Sequence, residues 1–283
     1  MNFVLTIPKL PLDEWVEWIV AFLRGNVRWL FDGIRNGLNW VLGNSESFLS
    51  IGHPLVLLGL LVILAFVIVG WRMGLFTLLG FGYILNAGLW PEMVQTLSLV
   101  LTAEIFILLF GLPLGIWAGR NDRVHTMLRP VLDFLQTLPA FVYLIPAVMF
   151  FGIGMVPGAV ATLIFAIAPL IRLTSLGIRQ VPRDLVEASE AFGATELQKL
   201  FKVQLPVART TIMAGVNQSI MLGLSMVIIA AMAGAQGLGR EVLAAIQRVD
   251  VGNGFVAGLA VVILAIFLDR LTATFGEKKQ TKA

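Results

Sequence analysis

Residues 134–171 run for 38 positions without a charged side chain. As one straight helix such a run would reach about 57 Å, nearly twice the roughly 30 Å of bilayer hydrocarbon. It must fold back, and residues 152–158, GIGMVPG, supply the glycines and proline of a turn. Two spans follow, near 131–152 and 157–172. A spanning helix needs about 20 mostly apolar residues. Runs that meet or approach that length predict further spans near 54–71, 73–91, 94–119, 210–232 and 255–269. The expected fold class is an all-α polytopic membrane protein with about seven spanning helices.

Composition agrees: 58% of residues are hydrophobic and 13% charged, against about 25% charged in a soluble domain. Cysteine is absent, which excludes disulfides, thiolate metal sites and a cysteine nucleophile. His53 and His125 lie far apart in sequence, so no histidine-based metal or catalytic cluster is expected. A net charge of +3 is small and reads as membrane topology rather than as a nucleic-acid footprint. Lipid is the first partner implied; nucleic acid is not one. No basic region precedes the first apolar run, and Pro8 and Pro11 interrupt it, so no cleavable signal peptide is expected.

The chain divides into three parts. Residues 1–50 form an N-terminal amphipathic segment. Trp15, Trp18, Ile19, Phe22 and Leu23 recur at helical spacing among Asp13, Glu14, Glu17 and Arg24, and Trp29, Leu30, Ile34, Leu38 and Val41 repeat the pattern. Such helices suit a membrane interface, where tryptophan is favoured. Residues 51–275 form the transmembrane domain, and 276–283 a basic tail with Lys278, Lys279 and Lys282. Short cytoplasmic loops attract Lys and Arg. With seven spans one side collects Arg72, the segment 120–129 with three arginines, the basic segment 173–208 and the lysine tail. The other side holds the uncharged 152–158 turn and a loop at 234–254 with Gly234, Gly237 and Gly239. The C-terminus is therefore expected in the cytoplasm and the N-terminus outside. A re-entrant 73–91 would move the N-terminus inside and leave the rest in place. Segment 120–129 reads as an exposed loop.

The segment at about 173–208 is the most structured loop. Pro182 suits the first turn of a helix, with Asp184 and Glu187 near its N-terminal end. Leu185, Ala188, Ser189 and Phe192 make one modest apolar face. Gly193 stops that helix, through a positive φ or by allowing close approach of another surface. Thr195 and Gln198 form a capping box for a second helix, and Pro206 marks the return to the bilayer. Two short helices with a kink between them are expected, ordered enough to dock a partner.

Glu187-Ala188-Ser189, then Gly193, then Val203-Gln204-Leu205-Pro206 resembles the EAA loop of permease subunits of binding-protein-dependent ABC importers. Ser189 stands for the second alanine of that pattern and Val203 for its isoleucine; the spacing is kept. The runs QTLPAFVYLIPAVMFFGIG, VPRDLVEASEAFGAT, LPVARTTIMAGVNQSIMLGLSMVIIAAM and ILAIFLDRLT are similar to the glycine betaine/proline betaine permeases of osmoprotectant uptake systems, over about residues 54–276. The resemblance implies a type I importer fold in a bacterial cytoplasmic membrane. It implies that Glu187, Ala188, Ser189, Gly193, Leu205 and Pro206 couple to a cytoplasmic ABC ATPase. It implies an external lipoprotein substrate-binding protein and a second permease copy. No G-x-x-x-x-G-K-[ST] is present, so no catalysis and no cofactor are expected in this chain; ATP and Mg would sit on the ATPase. No fused binding domain is expected after the last span. The implied solute is glycine betaine, with proline betaine, choline or an amino acid as alternatives. A secondary transporter would leave the ordered loop unexplained.

Within the spans, six residues are candidates for the pore or substrate path. Glu104 is an ionisable group at membrane depth, where charge is costly, and either lines a path or is tied to a neighbouring helix. Pro139 and Pro146 free backbone carbonyls, as broken helices beside cavities do. Phe141 and Tyr143 could offer an aromatic face to a quaternary ammonium. Asn217 either bridges helices or faces the path, as do its neighbours Gln218 and Ser219.

Overall fold

The computed structural model describes residues 11–276. The lysine tail and Pro8 lie outside the described residues. The elements are α1 (Leu12–Asn26), α2 (Arg28–Leu49), α3 (Pro54–Ile68), α4 (Trp71–Asn86), α5 (Trp90–Arg120), α6 (Asp122–Thr137), α7 (Ala140–Phe151), α8 (Met155–Arg179), α9 (Arg183–Ala191), α10 (Glu196–Lys199), α11 (Leu205–Met232), α12 (Leu238–Arg248) and α13 (Val251–Gly276).

α8 sits at the centre, between α5 and α11. Lipid tails supply no hydrophobic drive between helices, so close backbone approach through small residues does much of the work. Gly111, Gly115 and Gly119 form such a stripe on α5. A Cβ at these positions would fall 2.9 Å from Leu170, 2.6 Å from Thr174 and 2.9 Å from Ile178 on α8. On the other side Gly215 of α11 lies against Leu173 and the Leu170 backbone. α4 runs antiparallel to α13, with Gly80 against Ile263, Phe81 edge-on to Phe267 at 5.0 Å, and the Tyr83 hydroxyl donating to the Val256 carbonyl at 3.4 Å.

Among the described residues four helices are each long and apolar enough to cross a membrane: α5, α8, the continuous helix Glu196–Met232 and α13. Two bent pairs raise the number to six if each is one span: α2 with α3 at 94°, and α6 with α7 at 98°. The remaining expected span, 73–91, corresponds to α4. Its 16 residues reach only about 24 Å.

Three expected local structures are corrected. The fourth span is not one rod over 131–152, because the chain turns through 98° between α6 and α7. Pro139 has no N–H for the Leu135 carbonyl, and the residue before a proline avoids the helical region. Leu138 accordingly adopts φ −68°, ψ 135°. Segment 120–129 is not a loop: the Asn121 side chain accepts from the N–H groups of Arg123 and Val124 at 2.9 and 3.2 Å and starts α6. The 234–254 loop likewise contains α12, whose Leu238, Gly239 and Ala245 are buried. Its Leu238 N–H donates to Thr96 of α5 at 2.8 Å.

α2 lies across the end of the bundle opposite Arg120. Ser98 donates to the Leu42 carbonyl at 3.1 Å, and Phe31 stacks on Phe150 with centroids 4.3 Å apart. Trp29 and Trp40 remain exposed.

Candidate functional site

The basic segment between α8 and α11 is built by local rules. α9 begins after Pro182 and carries Asp184 in its first turn. It ends in a paired glycine stop: the Gly193 N–H donates to Glu190 O at 2.9 Å and the Ala194 N–H to Ser189 O at 3.0 Å, the Schellman arrangement. Gly193 has φ +75°, and a Cβ there would meet nothing within 4 Å. Of the two sequence-based roles for this glycine, the backbone conformation is the one present within the chain. The expected capping box then opens α10: the Gln198 N–H donates to Thr195 Oγ1 at 3.3 Å, and the Thr195 N–H to Gln198 Oε1 at 2.9 Å.

The expected break between α9 and α10 is present at Gly193, but α10 is not a separate short helix. It passes through a π-helical turn, Leu200–Gln204, into α11, giving one continuous helix from Glu196 to Met232. The Leu205 N–H bonds back to the Leu200 carbonyl. Widening the turn accommodates Pro206, whose missing N–H and ring would strain a regular α-turn. Leu205 is half-buried and Pro206 exposed.

Lys199 is the pivot of this segment. The residue is buried at 8% exposure, and its Nζ donates to Glu190 Oε1 at 2.6 Å and Glu196 Oε1 at 2.7 Å. It thereby joins the end of α9 to the start of α10. Hydrogen bonding to Glu190, then to Glu196, holds its ammonium above the usual range. The Glu196 carboxyl lies below the usual range, chiefly through the Lys199 hydrogen bond, with the charges of Lys199 and Arg120 adding to it. Arg120, at the end of α5, pairs with Glu196. Arg179 donates to Asp122 Oδ1 at 2.7 Å and to the Ala118 carbonyl at 2.8 Å, and Arg172 pairs with Asp133. The ends of α5 and α8, together with α6, α9 and α10, thus form one lashed block.

The block exposes large apolar side chains among its charges. Leu185, Phe192, Leu197 and Phe201 are exposed, Phe192 at 92%. Glu187 and Ala188 are exposed as well, while the Ser189 hydroxyl turns back to the Val186 carbonyl at 2.7 Å. Lys199 and Arg120 were not singled out from the sequence; the i,i+3 spacing of Glu196 and Lys199 was the available signal.

The six path candidates do not converge. Glu104 is buried at 6% exposure, and both its oxygens lie within 2.8–3.0 Å of Ser219 Oγ on α11. Asn217 points to α13, donating to Asp269 at 2.8 Å and accepting from Thr272 at 2.6 Å. Tyr143 is buried, and its hydroxyl donates to the Leu135 carbonyl, the group orphaned by Pro139. Phe141 is exposed on the other side of α7, so the two aromatics share no face. Pro139 caps α7 and Pro146 lies within it, exposed. Among the described residues no three His, Asp or Glu side chains gather as a metal site.

Residues 111–279 match the family described as "Binding-protein-dependent transport system inner membrane component". The chain is 50% identical over 280 residues to the glycine betaine transport system permease protein OpuAB of Bacillus subtilis, covering 98% of each chain. It is 49% identical to the glycine betaine/carnitine transport permease protein GbuB of Listeria monocytogenes, over 98% of this chain and 99% of that one. In structure it is similar to a chain of the MetNI methionine ABC transporter in an inward-facing conformation. The TM-score is 0.59 at 20% identity, over 64% of this chain and 93% of that chain. This last likeness concerns the fold alone.

Proposed function

This chain belongs to the binding-protein-dependent transport system inner membrane component family, and we propose that it is the permease subunit of an ABC importer for glycine betaine. The solute assignment is supported by relatives of that stated substrate aligning over 98% of the chain. The observation that carries the coupling role is the lashed block with its exposed large apolar side chains, Leu185, Phe192, Leu197 and Phe201. An ordered apolar surface rimmed by charge suits a protein partner better than water. The partner is a cytoplasmic ATPase that holds ATP and Mg. Glu187, Ala188, Ser189 and Gly193 form the docking helix and its stop, and Leu205 and Pro206 sit where the push enters α11. Force on α9 reaches α5 through Arg120 and Glu196, and α11 through the unbroken helix from Glu196. A second permease copy completes the pore, and an external lipoprotein delivers solute at the opposite end. The cytoplasmic side is that of Arg120 and α9, with the C-terminus there and the N-terminus outside.

The test is reconstitution of the permease with its ATPase and binding protein in proteoliposomes. ATP-driven accumulation of radiolabelled glycine betaine is expected. Accumulation of an unrelated amino acid without glycine betaine would reject the solute assignment. Unchanged uptake by a Phe192→Asp, Leu197→Asp double variant would reject the docking face.

A further inference from the structure

Among exposed residues at mid-membrane depth, α11 differs from its neighbours. The exposed large side chains of α4 are Leu75, Leu78 and Leu79, and those of the apolar part of α13 are Phe255, Val262 and Ile266. All are suited to lipid tails. On α11 beyond Thr210 the exposed positions are Ala214, Gln218, Met221, Ser225 and Met232, a helical stripe at spacings of four, three, four and seven. Two of the five are polar. The depth is set by the next residue, since Ser219 bonds Glu104, which lies near the middle of the 31-residue α5. A polar side chain at that depth faces protein or water rather than hydrocarbon.

The triplet Asn217-Gln218-Ser219 is divided among three directions. Asn217 is bound to α13 and Ser219 to α5. Gln218 is the exposed member. Ser225 returns its hydroxyl to the Met221 carbonyl at 3.0 Å, which leaves its oxygen lone pairs outward. Resting on the permease reading above, we propose that this face of α11 lines the solute path, with Gln218 and Ser225 as its polar contacts and Met221 between them. Neither polar group carries a fixed charge. The Gln218 amide offers hydrogen-bond donors to a carboxylate, and the Met221 thioether tolerates the methyl-covered cation of a betaine. Gln218 and Ser225 are two turns apart, about 10 Å, so they act as successive weak contacts rather than one site. Weak, multiple contacts are what passage requires. Asn217, the residue first singled out in this span, serves instead to hold α11 to α13.

The absence of cysteine makes the test direct. Single cysteines replace Gln218, Ser225, Leu78 and Val262 in the complete transporter, held in nanodiscs that leave both faces open. A water-soluble methanethiosulfonate is applied with and without ATP. Thiols in hydrocarbon do not ionise and meet no water, so positions 218 and 225 should react at least about tenfold faster than the two lipid-facing controls. Excess glycine betaine should slow that reaction, and modification should block uptake. Reaction at 218 and 225 no faster than at the controls overturns the proposal. So does spontaneous cross-linking of these cysteines between two copies without reagent access, which marks a dry subunit contact. If the unmodified transporter fails to move glycine betaine while positions 218 and 225 remain reactive, the solute assignment fails and the path assignment stands.

Discussion

The stop at Gly193 can be tested through its backbone alone. A Cβ there meets nothing within 4 Å, and φ is +75°, so the penalty for a side chain is conformational rather than steric within this chain. An L-residue in the left-handed region costs roughly 1–2 kcal/mol, less for asparagine and more for a β-branched residue. The two bonds that the stop forms, from the N–H groups of Gly193 and Ala194, contribute about 1 kcal/mol each. Gly193→Val therefore brings the stop near balance between formed and frayed, while Gly193→Asn leaves it mostly formed. A frayed stop lets α9 swing relative to Lys199 and Glu196, and the lever between the ATPase and α11 softens. The expected order of glycine betaine uptake is wild type, Asn, Ala, Leu, Val. The loss at Val should be about twofold, since a stop at balance is formed in about half of the molecules. Uptake and co-purification of the ATPase are measured at matched membrane abundance. Equal impairment of the Asn and Val variants would refute the conformational reasoning and point to contact with the partner's surface. Wild-type behaviour of the Val variant would refute the role of the stop altogether.

Lys199→Met leaves Glu190 and Glu196 facing each other without their shared ammonium. With both carboxylates largely exposed, we expect only a small local loss, read as faster hydrogen exchange over residues 190–200. In the wild type the protection factors there, with the base-catalysed intrinsic rate divided out, should be flat through neutral pH. The contribution from Glu196, whose pKa is lowered, is present above the ordinary carboxylate range and lost as pH falls through the depressed value. The contribution from Lys199, whose pKa is raised, is present below the ordinary lysine range and lost as pH rises through the elevated value. A transition near pH 7 would contradict both signs. Gly115→Ala places a Cβ 2.6 Å from Thr174 Cβ and 3.0 Å from the Ile171 carbonyl, and overpacking of this kind costs about 1–3 kcal/mol. Thermal unfolding in detergent should register it, while Gly82→Ala, with nothing within 4 Å, should not. Tyr143→Phe removes the donor to the Leu135 carbonyl and should cost about 1–3 kcal/mol. Adding Pro139→Ala, which restores a backbone donor, should recover part of that loss; a double variant weaker than both singles would refute the assigned partner.

The membrane class and the α9 stop with the capping box after it were legible because each rests on local pattern. Residues 134–171 carry no charge, and the Thr195/Gln198 box and the Gly193 stop require only their own neighbours. The corrections fall where the outcome depends on a distant or shared partner. Pro139 marks a disturbance in any reading, but kink and right-angle turn differ by what satisfies the Leu135 carbonyl. The donor is Tyr143, a residue first valued for its ring. Segment 120–129 reads as a loop from its charge, yet one of its charged residues, Asp122, pairs with Arg179 of α8, and Asp133 further along α6 pairs with Arg172, so charge can fasten a helix as well as mark a loop. The Gly111, Gly115 and Gly119 spacing was visible and passed over, because glycine reads first as a breaker and only at a helix contact as a means of close approach. The polar triplet in α11 shows the limit most clearly. Three adjacent side chains of similar chemistry have three destinations, α13, the exposed face and α5, separated only by 100° of helix per residue. Which of the three is left exposed follows from where the neighbouring helices stand, and that arrangement is set by glycine contacts on α5, α8 and α11 rather than by the triplet itself.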